Sequence, residues 1–295
     1  MTSAEPRAGK AVALAVLLLA LGAGQPAWGH GDVHQQIEQV TAQLQQHPDD
    51  VELLLRRARL HQAHADWAAS AADFDRAEVQ APALATVWLA RGQMLLAAGR
   101  LDEARREVDK FVSQKPDVAE GWLTRARVGV KQGRPMDATT DFHRALELPT
   151  RPEPEHYLEY AQALTAVHPS RRAEAVDVLD QGLTRLGNLP ALGLPAVDLE
   201  VQLQRYDAAL ARLRRLGASS PRPETWLDRQ GDVLLLAGRP SEAAQCFRTA
   251  LETLARRSVT VRARAASQQL QASLEKKLIP LTPRTTTATA TAGQR

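Results

Sequence analysis

Histidine is the residue type whose spacing in this sequence suggests ligand chemistry. His30 and His34 lie four positions apart, and His61 and His64 lie three apart, so a helix would place each pair on one face. If His30 were the first residue of a processed chain, its amine and imidazole could chelate Cu(II), and His34 would add a further nitrogen. The more usual alternative is that His34 is solvated and that His61 packs between helices.

Other catalytic or cofactor chemistry has no motif in the sequence. A phosphate-binding glycine loop, a zinc-protease helix motif and a nucleophile elbow are all absent. One cysteine, Cys246, cannot form an intramolecular disulfide or a thiolate metal site by itself. We therefore expect a protein that is not an enzyme and needs no cofactor. An active site that no motif reveals is the alternative.

The net charge of +3 hides an uneven distribution along the chain. Residues 256–295 contain eight Lys or Arg and one acid, Glu275, whereas residues 30–255 contain 27 bases and 32 acids. Recognition of nucleic acid needs a basic stripe across the folded body, with interleaved aromatic residues for single strands. The mildly acidic body lacks both features, so we expect no nucleic-acid partner.

The first 29 residues have the layout of a secretory signal peptide. Arg7 and Lys10 precede an apolar run over residues 11–21, and Ala27 and Gly29 supply small residues before a cleavage site at His30. A membrane-spanning helix needs about 20 apolar residues, which is more than this run contains. We therefore predict a periplasmic or secreted protein without stable membrane insertion after cleavage. An uncleaved anchor in the inner membrane is the alternative.

Residues of one type recur at a spacing of 34 through the middle of the chain. They include Trp88 and Trp122, Pro82 and Pro116, Gly99 and Gly133, Ala104 and Ala138, and Ala175, Ala209 and Ala243. A fixed period of this length is typical of helical repeat arrays, and an irregular bundle would not keep it. The pattern resembles the tetratricopeptide repeat, a helix-turn-helix unit. The resemblance implies an all-α, right-handed solenoid of about six units over residues 50–255.

Six units of 34 positions can be placed along the chain, starting at Val51, Ala85, Ala119, Pro154, Pro190 and Glu224. Small residues at positions 8 and 20 allow the two helices of a unit to approach closely. Glycine at position 15 ends the first helix in the left-handed conformation. The fourth unit needs two extra residues near Pro169, and we expect Pro195 to interrupt the first helix of the fifth.

Capping helices are predicted on both sides of the repeats. Residues 30–49 have apolar positions at helical spacing, with Asp32 placed as the N-cap and Gln35 placed for a capping box. Residues 256–279 have one apolar stripe from Val259 to Leu278 and a basic opposite face, as a terminal solenoid helix requires. The alternative is that this basic helix lies on an anionic membrane. The Thr- and Ala-rich residues 280–295 are predicted to be disordered.

The resemblance also implies a concave groove, lined by the first helices, that binds a protein or peptide partner. Position 9 of the six units reads Arg59, Gln93, Arg127, Gln162, Asp198 and Asp232, so the charge changes sign along the groove. Position 5 reads Leu55, Leu89, Leu123, Leu158, Leu194 and Asp228, which predicts an exposed leucine row beside the polar one. The alternative is that these leucines pack against adjacent helices. One subgroup of the family holds a C-terminal carboxylate with Lys and Asn, where this chain has Leu55 and Arg59, so we expect no such clamp.

Overall fold

The computed structural model describes residues 30–218 and 220–281, and it describes side chains from residue 33 onwards. The predicted signal peptide and residues 282–295 of the predicted tail lie outside the described residues. The described chain forms α-helices and two 3-10 turns, Pro169–Arg171 and Ile279–Leu281, with no β-strand. The helices are α1 His30–Gln46, α2 Val51–Ala63, α3 Trp67–Gln80, α4 Ala85–Ala97, α5 Leu101–Gln114, α6 Ala119–Lys131, α7 Pro135–Glu147, α8 Pro154–Val167, α9 Arg172–Leu186, α10 Pro190–Gln202, α11 Tyr206–Gly217, α12 Pro223–Leu236, α13 Pro240–Ala255, α14 Val259–Arg262 and α15 Ala265–Leu278.

The helices stack as six consecutive hairpins. In each predicted unit the first helix packs against the second, from α2 with α3 to α12 with α13, and each hairpin contacts the next. First helices also contact one another, as α2 does α4 and α4 does α6, so they form one layer of the stack. α1 packs on α2 and α15 packs on α13, which places a capping helix at each end. This arrangement confirms the predicted all-α solenoid.

The core repeats because the packing positions repeat. Phe74, Phe142 and Phe247 all occupy position 24 of their units and are fully buried. Opposite the last of them, Gly231 occupies position 8, where a Cβ atom would lie 2.6 Å from the Cζ atom of the Phe247 ring. In the sixth unit, the close approach of α12 and α13 therefore leaves no room for a Cβ atom at position 8.

The turn between the two helices of a unit depends on position 15. Gly99, Gly133 and Gly238 have φ angles of +76°, +71° and +71° there, as the sequence predicts. Ala65 and Gln204 hold the same position with φ angles of +59° and +57°. This left-handed conformation disfavours residues that carry a Cβ atom. The first and fifth units therefore keep the turn at a local conformational cost.

The two irregular units differ from each other in structure. In the fourth unit, the 3-10 turn Pro169–Arg171 accommodates the extra residues between α8 and α9. In the fifth, the expected interruption by Pro195 is wrong, because α10 runs through it from Pro190 to Gln202. A proline at this sixth helical residue removes one backbone hydrogen bond, and burial of Leu192 and Val197 beside it holds the helix together.

Both capping helices differ in detail from the sequence prediction. α1 already includes His30, so Asp32 lies in its first turn rather than at the N-cap. The C-terminal stripe does not form one helix, because the chain breaks at Ala263 and Arg264 between α14 and α15. Val259 before the break is 71% exposed, whereas Leu274 after it is fully buried. The cap is therefore α15 alone.

Candidate partner-binding face

The surface formed by positions 5 and 9 of the six first helices is called the first-helix face below. It contains the twelve residues that the sequence analysis assigns to a groove. The leucines at position 5 do not form an exposed row, which corrects that expectation. Leu55 and Leu123 are buried, while Leu89, Leu158 and Leu194 are half-buried against the hydrophobic clusters of the stack. Their apolar surface packs into these clusters, and its burial stabilises the array.

Two of the polar residues at position 9 bridge neighbouring helices in the middle of this face. Gln93 donates a hydrogen bond to Glu120 at 2.9 Å. Arg127 donates from Nε to both carboxylate oxygens of Glu159 at 3.1 and 3.0 Å, and its Nη1 lies 3.7 Å from Glu120. Acids outside positions 5 and 9 therefore offset the positive charge of Arg127, and this part of the face carries less charge than position 9 alone suggests.

An open cleft lies between α2 and α4 at the N-terminal end of the first-helix face. It has a volume of about 360 Å³ and is lined by Arg59, Gln62, Trp67, Gln93 and apolar alanines. Arg59 is exposed there. We call this feature the N-terminal cleft, and its one charged lining residue is a cation.

A larger open cleft lies between α10 and α12 at the opposite end. Its volume is about 670 Å³, and its lining includes three acids, Asp198, Asp228 and Asp232, one cation, Arg229, and apolar residues such as Val201 and Leu236. We call it the C-terminal cleft. Asp198 is exposed, and Leu236 is 61% exposed, so carboxylate and apolar surface are both accessible. Gln162, between the two clefts, is also exposed.

A lysine from the C-terminal cap lies against the acidic end of the face. Nζ of Lys277 on α15 donates to Asp228 at 2.7 Å and to Asp232 at 2.9 Å. Partial burial lowers the pKa of Lys277, but hydrogen bonds and charge from the two aspartates outweigh this and raise its pKa above the usual value. The ammonium group therefore stays charged and offsets part of the predicted negative charge at this end.

Sequence reasoning missed an arginine ladder, defined as Arg57, Arg91 and Arg125 at position 7 of the first three units. Arg57 donates to the two carboxylate oxygens of Asp73 at 2.8 and 2.6 Å, and Arg125 binds Asp141 in the same way at 2.9 and 2.6 Å. Both acids lie in the second helix of the same unit, with side chains 3% exposed. These bidentate pairs fasten the two helices of a unit together.

The arginine ladder also joins consecutive units. Arg91 donates to Asp75 of the preceding unit at 2.8 Å, and Arg125 donates to Asp109 of the preceding unit at 3.1 Å. The signal for these pairs was present in the sequence, because the arginines and both sets of acids follow the 34-residue spacing. Since carboxylates of the fold hold these guanidinium groups, we assign the ladder a structural role.

The histidines do not assemble a metal site in the described part of the chain. The rings of His34 and His64 lie 4.3 Å apart between centroids, and Nδ1 of His61 is 3.6 Å from Asp66. The side chain of His30 lies outside the described residues. Among those described, no group of three or more His, Cys, Asp or Glu side chains could hold a metal ion. The copper hypothesis for His30 and His34 therefore gains no support.

A helix that crosses a lipid bilayer must be both long and apolar. None of the helices between residues 30 and 281 that the structure describes meets both requirements.

Comparisons with known proteins agree with this architecture. Profiles of the tetratricopeptide repeat match residues 85–128 and residues 194–258. A search of curated proteins gave no significant match.

Solved structures share the fold at low sequence identity. The C-terminal part of a repeat protein from Cytophaga hutchinsonii is 13% identical, with a TM-score of 0.53 over 86% of this chain and 92% of that one. A tetratricopeptide repeat protein from Parabacteroides merdae is 15% identical, with a TM-score of 0.50 over 83% and 93%. Pseudomonas aeruginosa pilF is 14% identical, with a TM-score of 0.50 over 76% and 97%. The profile matches identify residues 85–128 and 194–258 of this chain as tetratricopeptide repeats, and the solved structures share its fold.

Proposed function

We propose that this protein is a non-catalytic scaffold that binds a protein or peptide partner along the first-helix face. The observation that carries the proposal is the pair of open clefts at the two ends of that face. The charged lining of one is a single arginine, whereas the charged lining of the other is three aspartates and one arginine. Repeat solenoids offer such extended surfaces for recognition. Opposite charges at the two ends would select one orientation of the partner.

The proposed orientation places acidic groups of the partner near Arg59 and basic groups near Asp198. Both side chains are exposed, so their attraction for a partner is screened by salt and acts mainly on association. The leucines at position 5 add little to binding, because the stack already buries much of their surface.

Charge reversal at Arg59 tests this function. We expect Arg59→Glu to weaken the affinity for specific partners about tenfold, which corresponds to about 1.4 kcal/mol of binding free energy. Recovery of these partners is therefore expected to fall when the purified protein captures proteins from its own cell envelope. The measurement is quantitative mass spectrometry of the captured proteins at low and high salt. Arg56→Glu is the matched control, because Arg56 is an exposed arginine of the same helix outside positions 5 and 9. An identical set of captured proteins for wild type and Arg59→Glu would contradict the proposal.

We further propose that the scaffold acts outside the cytoplasm, in the periplasm or as a secreted protein. The support is the sequence of residues 1–29, in which a basic start, a short apolar run and small residues precede His30. The intact mass of the protein recovered from the envelope fraction is expected to correspond to a chain that begins at His30. A mass that still includes Trp28 would contradict cleavage at this site and would favour an anchored chain.

A further inference from the structure

The C-terminal cleft already has a cationic neighbour supplied by the chain itself. Lys277 belongs to α15, which follows the six repeat units, yet its ammonium contacts Asp228 and Asp232 on the first helix of the sixth unit. These two acids are positions 5 and 9 of that unit, the positions that the sequence analysis assigns to partner binding in all six units. The cap thus covers part of the proposed binding face.

The surroundings of this ammonium have the chemistry that recognises lysine or arginine. Besides the two carboxylates, Nζ of Lys277 lies 5.3 Å from the centroid of the Phe247 ring, within the range of a cation–π contact. Apolar side chains of the cleft, including Val201 and Leu236, line the space nearby. A long aliphatic stem with a charged end therefore matches the cleft better than a small or acidic side chain does.

The cleft also has exposed carboxylate and apolar surface that Lys277 does not cover. Asp198 on α10 is exposed, and the carboxylate of Asp232 remains 46% exposed beside Lys277. Leu236 is 61% exposed at the same place. A partner segment that carries a basic residue next to an apolar one can pair its charge with these aspartates and cover the leucine.

Displacement of the Lys277 side chain need not unfold the cap. α15 is held by Leu274, which is fully buried, and by Leu270 and Leu278, which are half-buried in the same cluster as Phe247. The side chain of Lys277 is 26% exposed, and it is flexible enough to turn its ammonium towards solvent. The apolar anchor and the ion pairs are therefore separable parts of the cap.

We propose that the C-terminal cleft binds a lysine or arginine of the partner beside an apolar residue, and that Lys277 is a built-in competitor for this cation. The inference rests on the proposed function and adds the class of ligand and its regulation. Two cations on the same pair of aspartates repel each other, so each cation reduces the affinity of the aspartates for the other. Movement of Lys277 away from the aspartates frees both carboxylates for the cation of the partner.

Substitution of Lys277 by methionine tests the competition with a defined probe. The probe is a fluorescein-labelled peptide of four Lys-Leu repeats, acetylated and amidated, and its affinity is measured by fluorescence anisotropy. Methionine keeps an unbranched stem for packing but removes the charge. We expect Lys277→Met to bind the probe about tenfold more tightly than wild type. Lys276→Met is the matched control, since Lys276 is the exposed neighbour on the same helix and its loss changes net charge equally.

Further arms distinguish failure of this inference from failure of the proposed function. In the Lys277→Met background, Asp198→Asn is expected to weaken probe binding about fivefold, and a Glu-Leu peptide of equal length is expected not to bind. Equal probe affinities of Lys277→Met and Lys276→Met would overturn the competition, whatever Arg59→Glu does. Unchanged affinity after Asp198→Asn would overturn the site itself. Thermal unfolding of every variant confirms that the compared proteins are folded.

Discussion

Replacing Arg212 with methionine is expected to lower the free energy of unfolding by about 3–5 kcal/mol, because it leaves a buried carboxylate without its partner. Arg212 on α11 and Glu200 on α10 have side chains only 4% and 5% exposed. Nη2 and Nε of Arg212 donate to Glu200 at 2.6 and 3.1 Å, and Nη1 donates to Asp180 on α9 at 2.5 Å. The triad therefore ties three consecutive helices together where the repeat pattern is weakest.

Urea-induced unfolding of Arg212→Met gives this measurement. Arg214→Met is the control, because Arg214 is an exposed arginine two residues away on the same helix and its loss is expected to change the free energy of unfolding by less than about 0.5 kcal/mol. The double substitution Arg212→Met with Glu200→Met is expected to recover most of the loss, since no unpaired buried charge remains. Equal losses in the single and double variants would show that shape rather than charge determines the effect.

The triad also explains why the fourth and fifth units fold despite their irregular sequences. The arginine ladder stops after Arg125, because position 7 of the fourth and fifth units holds Tyr160 and Ala196. Arg212 supplies a guanidinium from the second helix instead, and it again joins its own unit to the preceding one through Asp180. Ion pairs thus still join consecutive units here, but the arginine that donates lies on the second helix of its unit rather than on the first.

Sequence reasoning succeeded where a short segment determines its own structure. Glycine at position 15 sets a left-handed turn by local sterics in the second, third and sixth units. The spacing of about 34 residues then locates the six hairpins. It failed where the outcome depends on neighbouring units. Position 5 suggested exposed leucines, but Leu55 and Leu123 are buried in hydrophobic clusters to which several helices of the stack contribute. Pro195 suggested a helix break, which the packing around it prevents.

The contact between Lys277 and the sixth unit was also beyond sequence reasoning, since 45 and 49 residues separate Lys277 from its two acceptors. No repeat spacing predicts a pair between a unit and the cap that follows it. One signal was nevertheless present. Asp228 is the single break in the leucines at position 5, and it is one of the residues that bind Lys277. A lone departure from a repeated apolar position can thus indicate a charged partner outside the array.

The close approach of α12 and α13 at Gly231 gives the second large effect, and Gly231→Ala is expected to lower the free energy of unfolding by about 2–3 kcal/mol. The new methyl group would lie 2.6 Å from Cζ of Phe247, whose side chain is fully buried, so either the ring or the two helices must shift. The better helix propensity of alanine offsets about 1 kcal/mol of the overpacking. The net decrease in the free energy of unfolding therefore reports on how closely α12 and α13 approach each other at Gly231.

Gly238→Ala in the turn of the same unit separates this overpacking from backbone strain. Gly238 has a φ angle of +71° and no neighbouring atom within 4 Å of the position that a Cβ atom would take, so its substitution is expected to cost about 1 kcal/mol through conformation alone. Adding Phe247→Leu is expected to recover part of the loss in Gly231→Ala, because the smaller side chain makes room for the methyl group. Phe247→Leu is expected to recover none of the stability that Gly238→Ala loses. Chemical denaturation of the four variants measures these differences, and equal recovery in both backgrounds would show that contact with the Phe247 ring is not what excludes a side chain at position 231.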